Sequence, residues 1–257
     1  MAHPSRFLRT SGVHATVEPD PWHPDSFVLS IDGAEQSHVN LAKPQEVFYE
    51  YLRRIANAID LLKPPGEPVA ALHLGAGALT LARYIQATRP GSIQHAVELE
   101  RELLDFVLEQ MPLPEGSALT SHVGDAREEL AGLPAELKFD VVILDIFSGP
   151  EAPAHLACAD FYREAAAVLA PGGLLAVNVG DEPGFTLVRS QTAAMQEAMG
   201  SVAAYGTSML FSRRYPGNII LLGRDGAWPA GWAQALVAAG PHPATVLTGV
   251  ELDELTG

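Results

Sequence analysis

From residue 69 onward the chain alternates short apolar runs with segments of helical period. Residues 93–97 and 118–122 are candidate strands, and the runs 69–74, 139–144 and 174–179 largely lack the polar alternation of a half-exposed strand. Strands covered on both faces read this way. Between them, 79–88, 102–111, 126–133 and 160–169 place apolar residues at helical spacing. The alternation predicts an open, mostly parallel sheet with helices on both faces. A helix over 186–199 and closing strands over 202–206 and 218–222 extend it to seven strands. Residues 228–239 read as a last helix, and 248–257 as an acidic tail. Pro171-Gly172-Gly173 reads as a tight turn.

The first part of the chain has a different pattern. Residues 26–31 and 34–39 are short strand-like runs on either side of Asp32-Gly33. That dipeptide suits a type I′ hairpin turn, which needs positive φ at both central positions. Residues 13–18 read as a further short strand. A helix is expected from Pro44, burying Val47, Phe48, Tyr51, Leu52, Ile55, Ile59 and Leu62, and ending at Pro64-Pro65-Gly66. Two units follow: a small N-terminal β-hairpin unit over 1–43 and a larger α/β domain over 44–257.

Composition narrows the function. The chain has 257 residues, 47% of them hydrophobic, enough for a large core. A formal charge of −15 argues against nucleic-acid binding, which needs a basic face. No apolar run is long enough to span a membrane, and the first ten residues lack a signal-peptide core. The lone Cys158 permits no internal disulfide, which agrees with a reducing compartment. A cytoplasmic protein is the expectation. The histidines show no metal-ligand spacing, so no metal is expected.

The candidate chemistry lies where strands end. Gly75 and Gly77 follow the first apolar run, where missing side chains let a ligand approach the backbone. Glu98 ends the next strand, 23 residues after Gly75. A spacing of about 20 suits a carboxylate holding ribose hydroxyls. Asp125-Ala126 follows the third strand; Asp125 reads equally as an adenine contact or a helix N-cap. Asp145 ends a buried strand, where an ionisable group is costly unless used or paired. It is the leading candidate for contacting a reacting amine, with residues 146–159 as a lid over it. His73 reads as a core residue, His155 as a weak lid candidate and Cys158 as packing.

Gly75-Ala76-Gly77, Glu98, Gly124-Asp125-Ala126, Asp145 and Pro171-Gly172-Gly173 together resemble the spermidine synthase (polyamine aminopropyltransferase) family. The likeness runs over roughly 26–223. It implies a Rossmann-like, doubly wound sheet of the class I methyltransferase type. It further implies transfer of an aminopropyl group from decarboxylated S-adenosylmethionine to a diamine such as putrescine. By the same resemblance Glu98 holds the ribose, Gln36 lies near the nucleoside, Asp125 and Ala126 meet the adenine, and Asp145 handles the amine. Glu50 and Tyr215 would lie at the amine pocket. Three positions depart from the pattern: acids that read ammonium groups in the family match Ala78 and Ser148 here, and a Tyr on the helix after the hairpin matches Phe48, followed by Tyr49. Two other functions therefore stay open, an S-adenosylmethionine-dependent methyltransferase and a non-catalytic nucleoside-binding homologue. The hairpin edge suggests a homodimer.

Overall fold

A computed structural model describes residues 3–146 and 153–256. Strands β1 (Ser5–Phe7), β2 (His14–Pro19), β3 (Ser26–Ile31) and β4 (Ala34–Asn40) form an antiparallel sheet in chain order. Asp32 and Gly33 both take positive φ at the β3–β4 turn, as that dipeptide predicts. The unit thus has four strands, because the polar Ser5–Phe7 segment pairs with β2. Helix α1 (Glu50–Asp60) starts six residues later than the Pro44 reading. Residues 44–49 stay non-helical, and Phe48 and Tyr49 turn their rings toward His38 on β4.

The main sheet then builds through β5 (Ala70–Leu74), α2 (Thr80–Thr88), β6 (Ile93–Glu98), α3 (Arg101–Gln110), β7 (Ala118–Val123), α4 (Ala126–Gly132) and β8 (Phe139–Leu144). It continues with α5 (Ala159–Ala167), β9 (Leu169–Asp181), α6 (Thr186–Ala198), β10 (Ser201–Thr207), β11 (Gly217–Arg224), α7 (Trp232–Ala239), β12 (Ala244–Thr248) and α8 (Val250–Thr256). The strand order is β12-β10-β11-β9-β8-β5-β6-β7. Pairings from β9 through β7 are parallel, and those on the other side of β9 are antiparallel.

Three features differ from the sequence reading. The sheet has eight strands, because β12 adds an outer edge beside β10. The acidic tail is largely helix α8, which buries Leu252 and Leu255. Pro171-Gly172-Gly173 lies inside β9 as an irregularity against β8, rather than as a turn before it.

Alternation along the strands divides the core. Leu72, Leu74, Val142 and Leu144 face one side of the sheet, and Ala71, Val141 and Ile143 face the other. A third cluster joins the N-terminal sheet to the main one. In it Leu8, Val17, Leu29 and Val39 pack with Ala78, Leu79, Leu103 and Phe106. This packing brings β4 over the carboxyl end of β5. There the strand order turns back on itself, the place where open α/β sheets bind ligands.

Candidate active site

The turn after β5 shapes the site. Gly75 and Gly77 have φ of +92° and +48°, values that favour glycine. A Cβ on Gly75 would run into the Asp145 carbonyl oxygen. The neighbouring strand ends leave no room, since the Asp145 amide donates to Leu74 O at 2.9 Å. From the other side, Ser37 on β4 accepts from the Ala78 amide at 3.3 Å. The N-terminal sheet thus closes over the glycine turn. The cavity beneath it has a volume of about 970 Å³, opens to solvent, and is lined by Gln36, Gly75, Gly77, Glu98, Asp125, Ala126 and Asp145 among others. Seven of the nine residues singled out from the sequence converge there.

Glu98 ends β6 with its carboxylate held by backbone amides. Ala76 donates to Oε2 at 3.1 Å and Glu100 to Oε1 at 3.0 Å. Burial raises its pKa, and these amide bonds only partly offset the rise. The Gly77 and Leu99 amides add to this hold, and the carboxylate lines the cavity. Glu100, two residues on, is buried and accepts from the amides of Thr10 and Ser11. It fixes the β1–β2 turn, and Ser11 of that turn lines the cavity.

Asp125 caps a helix, one of the two roles its position suggests, and keeps its other oxygen free of that cap. Its Oδ1 caps α4 by accepting from Arg127 and Glu128 amides at 2.9 and 3.3 Å. Its Oδ2 faces the cavity and lies 2.8 Å from His155 Nε2. Burial alone would raise its pKa, but His155 and the two amides outweigh that and hold it below the ordinary value. Arg127 braces this corner by donating to the His155 carbonyl at 3.1 Å and pairing with Glu164.

Asp145 lies at the end of β8. Asn178 on β9 donates to its Oδ1 at 2.8 Å, and Asn218 on β11 donates to Asn178 at 2.9 Å. Tyr51 on α1 also hydrogen-bonds the carboxylate. Burial pushes the Asp145 carboxyl up to about 6, against the pull of Asn178 and Tyr51. Tyr49 stands beside Tyr51, rings 6.2 Å apart, and donates to Glu35 at 3.1 Å. Burial and the Glu35 charge raise the Tyr49 hydroxyl to about 12, so it remains a donor.

Tyr49, Tyr51, Asn178, Asn218 and Glu35 escaped the sequence reading, although all line the cavity. Tyr51 fitted the apolar helix face. Asn178 left a usable signal, a lone amide in an otherwise apolar strand.

No family model matches the chain. Among curated proteins, the polyamine aminopropyltransferase of Vibrio vulnificus (strain CMCP6) is 26% identical over 163 residues. That match covers 61% of this chain and 53% of the relative, about half of its length. Among solved structures, a probable spermidine synthase from Corynebacterium glutamicum ATCC 13032 superposes with a TM-score of 0.88 at 28% identity. The match covers 100% of this chain and 94% of that one. This chain is spermidine synthase-like. Human methyltransferase-like protein 13, solved in complex with SAH, aligns with a TM-score of 0.56 at 20% identity over 74% of this chain and 86% of that one. That similarity shows the fold alone.

The chain differs from the expected site at three positions. Glu50 is exposed at the start of α1, pairs with Arg54 at 3.2 Å, and does not line the cavity. The later start of α1 carries it away and leaves Tyr49 and Tyr51 at the cavity wall. Tyr215 is 50% exposed and also lies outside the lining. Ala78 is 1% exposed within the third apolar cluster, so this position faces the core rather than the ligand space. Ser148 lies outside the described residues, as does the early part of the expected lid. Its later part, Pro153, His155 and Leu156, lines the cavity. His73 is buried against Gln94 at 2.9 Å, and burial lowers its pKa to about 4, which keeps it neutral.

Proposed function

We propose that this chain is an aminopropyltransferase, moving the aminopropyl group of decarboxylated S-adenosylmethionine to a diamine such as putrescine. The observation that carries the proposal is Asp145. Its carboxyl, raised to about 6, opens on the same cavity as the Gly75 turn and Glu98. A base near neutral pH within reach of a nucleoside site is what amine alkylation asks of a protein. The residues fit the donor: the glycine turn leaves its backbone bare, Ala126 is small, and Glu98 offers acceptors to a diol.

When bound, decarboxylated S-adenosylmethionine supplies a carbon activated by its sulfonium. An N–C bond forms as the C–S bond breaks, the bonding pair goes to sulfur, and 5′-methylthioadenosine leaves. The chain's own tasks are positioning and proton removal. Glu98 accepts the ribose hydroxyls. Asp125 offers Oδ2 to an adenine amino group, in place of or alongside His155. Asp145 holds the attacking nitrogen and takes its proton, with Asn178 and Tyr51 fixing the carboxylate. Glu35, behind the Tyr49 hydroxyl, gives the far ammonium of a diamine a second acid. A homodimer and a cytoplasmic setting belong to the same proposal; among the described residues, no helix is long and apolar enough to cross a membrane.

The test mixes the chain with decarboxylated S-adenosylmethionine and a panel of diamines, following 5′-methylthioadenosine release. Release with at least one diamine is expected. No release with any amine, together with tight binding of intact S-adenosylmethionine, would favour methyl transfer instead.

A further inference from the structure

The sequence shows no metal-ligand spacing, yet the fold gathers three donors at a second place. Asp20 follows β2, His23 lies in the next loop, and His38 sits on β4. One oxygen, Asp20 Oδ2, lies 2.7 Å from His23 Nδ1 and 2.9 Å from His38 Nε2. All three donor atoms fall within 4.8 Å of one another. Among the described residues this is the only such trio. We propose that Asp20, His23 and His38 form a divalent metal site of the zinc class, beside the Tyr49 wall of the cavity.

The donor set decides the class of cation. Two imidazoles and one carboxylate suit zinc, cobalt or nickel, whereas calcium and magnesium ask for oxygen ligands. Three protein donors leave a fourth position for water. The surroundings hold the donors in place. Asp20 Oδ1 accepts from the amides of Trp22 and His23 at 2.7 and 3.2 Å, which leaves Oδ2 to point at the rings. His38 is buried and stacked on Phe48, centroids 4.3 Å apart, so its ring has little freedom. His23 is half-exposed and packs edge-on against the same Phe48 at 5.1 Å.

Tetrahedral ligands at zinc stand about 3.3 Å apart when each bond is near 2.0 Å. From 2.7 and 2.9 Å the Asp20 oxygen must draw away from the two rings by roughly 0.4–0.6 Å, a movement open to Asp20 and His23 because both lie in the loop after β2. The cation replaces two N–H···O contacts, so each neutral ring carries its proton on its other nitrogen. For His23 that nitrogen is Nε2. For His38 it is Nδ1, which is buried with no hydrogen-bond partner. An acceptor at that nitrogen would strengthen a metal site by about 10–100-fold, and His38 lacks one. Affinity is therefore expected on the order of a micromolar rather than that of a structural zinc finger.

The site is coupled to the cavity by geometry. His38 and Tyr49 rings lie 6.4 Å apart, and Gln36 and Ser37 on β4 immediately precede His38.

The experiment uses the full chain, stripped with chelator and titrated with zinc chloride by calorimetry, and with cobalt chloride by visible absorption. One equivalent of zinc should bind, with a tetrahedral cobalt spectrum lacking a thiolate band. His23→Gln, an exposed change checked by circular dichroism, should weaken binding at least 100-fold, and Asp20→Asn likewise. His122→Gln should leave binding unchanged; it breaks another close imidazole pair, His95 and His122, 3.0 Å apart. No binding to the wild type, or equal binding by His23→Gln, would overturn the proposal.

Discussion

At the residue scale Asp145 carries two opposed consequences of one pKa. Its carboxyl is raised from 3.8 to about 6 by burial. Amine attack needs the ionised form, so kcat/KM should fall as pH drops through about 6. Asp145→Asn keeps the shape and loses the proton acceptor. Turnover should fall by 10²-fold or more, with nucleoside affinity little changed; an equal loss of nucleoside binding would make Asp145 a structural group. Stability runs the other way. A raised pKa means that the fold favours the neutral carboxyl. That contribution is full below 3.8 and is lost as pH rises through about 6. Asp145→Asn, which cannot ionise, should therefore be more stable than wild type at pH 8 by about 1–3 kcal/mol, and no more stable at pH 4. Urea unfolding at both pH values checks the sign. Glu98→Gln removes a charge-assisted acceptor and should weaken any adenosyl ligand at least tenfold, about 1.4 kcal/mol, by calorimetric titration.

Both acids were legible in the sequence, Asp145 because it ends an apolar strand where burial of a charge calls for a use, and Glu98 because of its spacing from Gly75. The polar groups that tune them were not. Tyr51 shares a helical stripe with Leu52 and Ile55, and nothing in its spacing separates a cavity wall from a core. Asn178 and Asn218 come from strands that meet only through an antiparallel pairing.

At the scale of elements, β5, β8 and the inner part of β9 were readable because two-sided burial leaves nearly unbroken apolar runs. Two of the outer strands were not. β1 is short and polar, and all five residues of β12 are only half-buried, so neither gives a periodic signal. Helix α2 also hides its character. Arg83, a charged side chain in its middle, is buried and donates to the carbonyls of Ala78, Met111 and Pro112. The glycine turn ahead of α2 gives a sharper test of how closely the elements meet. Gly75→Ala adds a Cβ against the Asp145 carbonyl at a φ of +92°. Strain of roughly 1–3 kcal/mol is expected from the backbone alone, and the β5 and β8 ends must separate. Thermal stability and adenosyl affinity should fall together. An unchanged melting temperature would mean that the two strand ends do not meet as described.

For the whole molecule, the division at residue 43 conceals a shared core. Leu29 on β3 is fully buried in a cluster that also holds Ala78, Leu103 and Phe106 of the larger domain. Polar ties reinforce the contact: Arg6 with Glu109, Arg9 with Glu102, and Glu100 with the Thr10 and Ser11 amides. The surface pairs add little by themselves. The apolar cluster is the main adhesive, and removing residues 1–43 would leave its other half bare. The two sheets should therefore unfold as one cooperative unit. Leu29→Ala deletes a buried side chain and should cost about 2–5 kcal/mol. If the core is shared, the loss appears in both sheets. Native-state hydrogen exchange should show the slowest amides of β2–β4 and of β5, β6 and β8 losing protection by similar free energies. Nucleoside affinity should weaken too, since Gln36 and Ser37 reach the cavity from β4. Loss of protection confined to β1–β4, with nucleoside binding intact, would show two independent folding units, with the N-terminal sheet only resting on the site.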